Sequence, residues 1–422
     1  MPLNEAVQRH DARGEISAAE FAALMAPLGP FESQPLLAVA VSGGADSLAT
    51  ALLVRDWARE RGGDVLALVV DHGLRTLSAQ EARTTCETLA AAGIAAVLLP
   101  LTGLSRGPAL SERARAARHA VLERACAERG ILHLVFGHHA ADQAETIAMR
   151  LLARSQPAGL AGMAALVETP NIRRLRPLLA TPPARLRATL RAAGVPWIED
   201  PSNSNLAFLR ARLRLRQPSA LATEALLHSA AARGQIRATA ECQDAKALAA
   251  HTRISGLGFA LLSASLPATA FAALLGLIAG TSRPPSASRV AQRAAAPSAS
   301  TMAGVRIQPA GRMGEGWLLT REPAAMQPDI PAVPGAVWDG RFHFVNSHTG
   351  TLGTTLGAWG SDAPRDRNGL PTAILCTLPA LRREGRVIAA GAELLEGPDA
   401  ALRYTPQTAM TGAGFLAVLP IM

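Results

Sequence analysis

The chain has 422 residues, 49% of them hydrophobic, and carries 42 Lys and Arg against 33 Asp and Glu, a net charge of +9. That length and apolar content exclude a disordered chain and a stapled miniprotein, and leave room for roughly two to three domains. Aromatic residues are only 4% with a single Tyr, which excludes an RNA module built on aromatic stacking.

In chain order, residues 1–35 read as a helical lead-in whose first residues mix charges of both signs, unlike a signal peptide. Four short apolar runs follow, Leu36–Val41, Val65–Val70, Ile94–Leu99 and Leu132–Phe136. Helical stretches at about 47–61, 78–92, 110–129 and 140–153 alternate with them. Short apolar runs of this kind suit strands buried on both faces, and strand–helix alternation predicts a parallel sheet covered by helices. The expected fold class is therefore α/β, a doubly wound parallel sheet over 36–216. A mostly helical region is expected over 217–327 and a small C-terminal α+β domain over 328–422. Between Ser255 and Ser282 there is no charged residue, but Pro267 interrupts the run. A strand at Phe259–Leu262, a proline turn and a buried helix fit that stretch better than a membrane span.

Four cysteines, Cys86, Cys126, Cys242 and Cys376, are far apart and form no C-x-x-C pair. This argues against a zinc ribbon, an iron–sulfur cluster or a disulfide framework, and predicts a reducing cytoplasm. The positive charge is almost all Arg, with Lys246 the single lysine. Arg suits bidentate phosphate contact and points to an anionic partner such as nucleic acid. An Ala- and Arg-rich coding habit produces the same count.

In a doubly wound sheet ligands bind where strands end, so the loops after Val41, Val70 and Phe136 are where chemistry is expected. The first loop reads Ser42-Gly43-Gly44-Ala45-Asp46-Ser47. Its glycines let the backbone turn and approach a ligand, and freed N–H groups and a helix N-terminus then face an anion. With no Lys in it, this is not a Walker A loop. The second reads Asp71-His72-Gly73-Leu74-Arg75, on its own a plain turn. The third helix, at about 110–129, carries Arg115 and Arg118, three apart and on one face. The loop after Phe136 reads Gly137-His138-His139-Ala140-Ala141-Asp142-Gln143-Ala144-Glu145. Adjacent histidines lack the spacing of a zinc helix, while Asp142 and Glu145 could hold magnesium, bind a substrate ammonium or simply complement a helix dipole.

The first of these hexapeptides resembles the PP-loop of the ATP pyrophosphatase superfamily, which cleaves ATP between the α and β phosphates. The four motifs in order resemble the tRNA(Ile)-lysidine synthetase family. Arg154 with Gly159-Leu160 and Gly162-Met163, Arg176-Pro177-Leu178-Leu179, and Glu199-Asp200-Pro201-Ser202-Asn203 with Phe208, Arg210, Arg212 and Arg214 extend it. Two departures stand out: Ala141 occupies a position that is usually Asp, and His119 one that is usually Tyr.

The resemblance implies adenylation of the C2 oxygen of the wobble cytidine in a CAU-anticodon isoleucine tRNA, then attack by the ε-amine of L-lysine. It implies ATP and Mg²⁺ as cofactors and a cytoplasmic enzyme, monomer or dimer. It assigns Ser42, Gly43, Gly44, Ala45, Asp46, Ser47, Asp71 and His72 to ATP, with Asp46 as magnesium ligand. Asp46, Arg115, His138, His139 and Asp142 become catalytic. Arg75, Arg118, Glu145, Arg154, Asp200, Asn203, Arg210 and Arg212 become substrate-binding. A sulfur-delivering tRNA thiolase is disfavoured by the unpaired cysteines, and an amidotransferase by the Met-Pro start. A tRNA-binding protein without catalysis is the reading that Ala141 motivates.

Overall fold

The computed structural model describes residues 14–71, 73, 78–101, 107, 110–169, 171–198, 220–345, 353–367, 369–397, 400–406 and 415–416. The chain divides into two compact units, residues 1–239 with 413–422, and residues 240–412.

In the first unit a six-stranded sheet is built from β1 (Leu36–Val41), β2 (Asp64–Asp71), β3 (Ala95–Pro100), β4 (His133–Phe136), β5 (Leu166–Glu168) and β6 (Arg173–Leu175). Its order is β3-β2-β1-β4-β6-β5, parallel throughout except where β5 pairs with β6. The central strand β1 sets Leu37 beside both Val65 and His133, and all of Leu37–Val41 is buried. Strand alternation divides the core. Leu37, Val39 and Val41 face α2 (Ala45–Arg59) and α6 (Pro183–Ala192), in a core that also takes in Phe21 and Met25 of α1 (Ala18–Met25). Ala38, Ala40, Leu134 and Phe136 face Val121, Leu122, Ala125 and Cys126 of α4 (Leu110–Ala127). Each large apolar side chain buried this way contributes about 1.5–3 kcal/mol. The lead-in helix is therefore part of this core, and it is tied further by the buried Glu20–Arg185 ion pair, with one N–O contact of 2.8 Å. Two more helices, α3 (Ser78–Ala91) and α5 (Ala140–Leu152), complete the alternation read from the sequence.

A long helix α7 (Ala220–His251) contains the point at which the units divide. In the second unit, α8 (Ala268–Ala279) and α9 (Ala287–Ala295) share a core with a five-stranded antiparallel sheet. Its strands are β7 (Thr252–Ile254), β8 (Ala260–Leu262), β9 (Ser300–Met302), β10 (Val305–Pro309) and β11 (Trp317–Arg321). The uncharged stretch before Ser282 is thus β8, a turn at Pro267 and the buried α8. Among the described residues no helix is long and apolar enough to cross a membrane. The sequence marks only one strand in this region. The others are three to five residues long, and runs this short leave little periodicity to read. Short antiparallel sheets follow beyond residue 330, one joining Thr354–Ala358, Pro379–Arg383 and Arg386–Ala390, another joining Phe342–Phe344 and Leu402–Tyr404.

Candidate active site

β1 lies between β2 and β4, so the strand order reverses at β1 and a crevice opens beyond the ends of β1 and β4. Two helices begin at that crevice, α2 after β1 and α5 after β4. Their N-termini add the positive ends of two helix dipoles.

The loop after β1 is held open by its own hydroxyls. Ser42 N–H donates to Ser47 Oγ at 3.1 Å, the two hydroxyls lie 3.3 Å apart, and Ser47 Oγ donates to Gly44 O at 3.0 Å. Gly43 has φ +85°, and a Cβ there would sit 2.4 Å from Thr85 Oγ1. Its carbonyl accepts from Ile198 N–H at 3.0 Å. Ala45 is buried as the first residue of α2, and Asp46 follows it. Thr50 Oγ1 donates to Asp46 O at 2.7 Å, and a Cβ on Gly137 would lie 2.7 Å from that hydroxyl. Glycine at 137 therefore lets the loop after β4 press against the first turn of α2.

That close approach brings the second histidine to the first loop. His139 Nε2 lies 3.3 Å from Asp46 Oδ2 and 3.6 Å from Asp142 Oδ2. Asp142 Oδ2 also accepts the His139 backbone N–H at 3.1 Å, fixing the start of α5. His139 is 8% exposed, while the Asp46 side chain is 37% and that of Asp142 17% exposed. The other oxygen of Asp46, Oδ1, is buried without a hydrogen-bond partner. Glu145, one turn further along α5, is buried. Gln143 Oε1 accepts from Met163 N–H at 2.7 Å and Arg150 donates to Gly162 O at 2.7 Å, so the Gly159–Met163 stretch is tied to α5.

His138 turns to the other side, stacked on Phe136 with ring centres 5.7 Å apart. His119 of α4 packs on the same ring at 5.3 Å. Burial, and then Arg174, Arg115, Arg118 and Arg176, push His119 down to about 4. Arg118 is half-buried and Arg115 exposed. Asp71 accepts from Gly73 N–H at 3.0 Å and from Ser78 Oγ at 2.7 Å, so it organises the turn that follows β2. Arg154 is exposed with φ +49°, past the far end of α5, about 20 Å of helix from His139. Ala141 is half-buried in the first turn of α5, beside Asp142. His72, Arg75, Asp200, Asn203, Arg210 and Arg212 lie outside the described residues.

Three partners of this site have no motif of their own in the sequence: Thr50, Thr85 and Arg174. Arg176 stands in the Arg-Pro-Leu-Leu motif, but nothing in that string says which way its side chain points. None of the cysteines lies among these contacts, and burial pushes the Cys126 thiol up to about 12.

The PP-loop domain family matches residues 14–218. A tRNA(Ile)-lysidine synthase from a Bradyrhizobium species is 42% identical over 206 residues, covering 48% of this chain and 57% of that protein. On that comparison the chain matches little more than half the relative's length. A tRNA(Ile)-lysidine synthase from Caulobacter vibrioides is 32% identical over 379 residues, covering 86% of this chain and 85% of that protein. Among solved structures, the U34-tRNA thiolase NcsA from Methanococcus maripaludis with its [4Fe-4S] cluster is similar at a TM-score of 0.41 and 17% identity, over 50% of this chain and 76% of that one.

Proposed function

The chain belongs to the tRNA(Ile)-lysidine synthase family, and from that premise we propose that it joins L-lysine to C2 of the wobble cytidine in a CAU-anticodon isoleucine tRNA, consuming ATP. The observation that supports this best is the 3.3 Å contact between Asp46 and His139, which joins the phosphate-cradling loop to the start of α5 at one crevice.

In the first step the C2 oxygen attacks the α-phosphorus of ATP and pyrophosphate leaves. The loop N–H groups and the hydroxyls of Ser42 and Ser47 hold the leaving group, and the N-terminus of α2 favours its charge. Asp46 suits a magnesium ion. Its Oδ1 is buried and without a partner, and magnesium is commonly held by one or two carboxylates plus substrate phosphates. When bound, the ion neutralises charge on the departing phosphates. In the second step the lysine ε-amine attacks C2, AMP leaves, and the amine loses a proton. Asp142 is the acceptor we assign, held in place by the His139 backbone N–H. His139, between Asp46 and Asp142, positions both carboxylates. Glu145 offers the lysine ammonium a partner before attack. Arg115 and Arg118 face the RNA side of the crevice, and Arg154 meets the RNA backbone. His72, Arg75, Asp200, Asn203, Arg210 and Arg212 keep the roles their motif positions imply.

The test is incubation with ATP, labelled lysine and a CAU-anticodon isoleucine transcript. Label is expected in the RNA, with AMP and pyrophosphate formed in equal amounts. AMP formation without label in the RNA would overturn lysine as the nucleophile.

A further inference from the structure

On the α4 face of the first unit's sheet, Arg174 and Arg176, which no step above uses, gather with Arg118 around His119. β6 and the residue after it read Arg173-Arg174-Leu175-Arg176. Alternation sends Arg173 and Leu175 to one face and Arg174 and Arg176 to the other. Arg173 is fully engaged, donating to the carbonyls of Leu28, Gly29 and Pro30 at 2.9–3.0 Å. Arg174 and Arg176 instead face α4, where both act electrostatically on His119.

These three guanidiniums have more donors than acceptors. Arg174 pairs with Glu123, the one ion pair that any of the three makes among the described residues. Arg176 is 7% exposed and gives one N–H to Ala164 O at 2.9 Å. Its guanidinium lies 5.7 Å over the Phe136 ring. The Nε atoms of Arg118, Arg174 and Arg176 are all buried without a partner. Burial and then the neighbouring Arg174 and Arg115 push Arg176 down to about 10, so it remains charged near neutral pH. An unpaired buried charge is expensive, and a fold that retains one with its donors unused is arranged for an anion.

We infer that Arg118, Arg174 and Arg176 form a phosphate-binding pocket, walled by Phe136 and His119, that seats a backbone phosphate of the RNA beside His138. Guanidinium forks match phosphate oxygens in pairs. The chemistry admits two sources, the RNA backbone or the phosphates of ATP. The RNA is favoured because the loop after β1 already supplies a cradle for the nucleotide's phosphates. The assignment rests on the reading above that ATP and RNA meet at this crevice.

The test compares wild type with Arg176→Gln and with Arg118→Gln, a half-buried position whose loss spares the core. Affinities for a non-hydrolysable ATP analogue and for a CAU-anticodon stem-loop are measured, the latter across salt. Expected is a rise in the stem-loop Kd of about tenfold, with the log K against log salt slope reduced by about one per arginine, and the analogue's affinity unchanged. Loss of analogue affinity alone would keep the pocket and assign it to ATP. If neither affinity moves in a folded variant, the pocket is structural and the inference falls. These are binding measurements, so they stand apart from the proposed ligation: wild type failing to label RNA with lysine would sink that reading and leave this one measurable.

Discussion

Each of the two units buries a cluster of arginines, and the clusters differ in what is left over. In the second unit Asp339 sits between Arg321 and Arg341, accepting from their Nε atoms at 3.0 and 2.9 Å. It also accepts from Gln327 N–H at 3.1 Å, and Arg321 spends a further N–H on Gly304 O at 2.8 Å. No buried nitrogen of Arg321 or Arg341 lacks a partner. In the first unit Arg118, Arg174 and Arg176 each keep a buried Nε unused. A saturated cluster closes on itself and contributes to specifying a fold. An unsaturated one holds donors that only a ligand can fill.

The contrast is broken most severely at Asp339. Asp339→Asn keeps the size and the tolerance for the observed φ of +51°, but leaves two buried guanidiniums facing a neutral amide. We expect a loss of about 3–5 kcal/mol in chemical unfolding. An unchanged midpoint would mean the two clusters are energetically alike.

Asp46→Asn probes the opposite case, a carboxylate with an unfilled oxygen. Product formation should fall by at least about 100-fold, the scale of losing one transition-state contact, with the unfolding midpoint unmoved. A variant that unfolds early while the surviving fraction turns over normally would place Asp46 with the structural residues.

His119 sharpens the comparison through pH. Unfolded, its imidazole takes a proton near 6.5; folded, only near 4. Its contribution to stability is therefore complete above pH about 6.5 and is lost as pH falls toward 4, by about 1–3 kcal/mol. His119→Phe should flatten that acid limb of the stability curve, and an identical limb would remove His119 from the cationic cluster.

Arg176→Met should be neutral or stabilising by about 1–2 kcal/mol, since it relieves an uncompensated charge, whereas Arg341→Met should destabilise. Thermal melts of both, side by side, decide this; a melting loss at Arg176 as large as at Arg341 would erase the distinction.

The smallest effect is expected at Ala141→Asp. A second carboxylate beside Asp142 adds about 1 kcal/mol of attraction for a cation at about 4 Å in a watery site, and more where water is excluded. The lysine or magnesium concentration for half-maximal rate should drop about fivefold. If neither titration moves, Asp142, Glu145 and the histidines already complete that site.

The alternation of apolar runs and helices places the parallel sheet and its crevice, because buried parallel strands need continuous apolar runs and their crossovers need helices. Ser42–Ser47 and His138–Asp142 are legible as loops at strand ends for the same local reason. That His139 meets Asp46 is not legible. It depends on β4 pairing beside β1 and on Gly137 letting the loop close on Thr50. Arg174 and Arg176 are harder still, since an arginine-rich strand reads as solvent-exposed until its neighbours are known. Local sequence determined the four parallel strands β1–β4, the helices between them and the anion-facing turns, because propensity, periodicity and glycine placement act within a few residues. Only the tertiary structure decided which arginines are saturated and which keep donors open, because that depends on partners brought from distant parts of the chain, as Arg341 finds Gly258 O at 3.5 Å while Arg176 finds no carboxylate at all among the described residues.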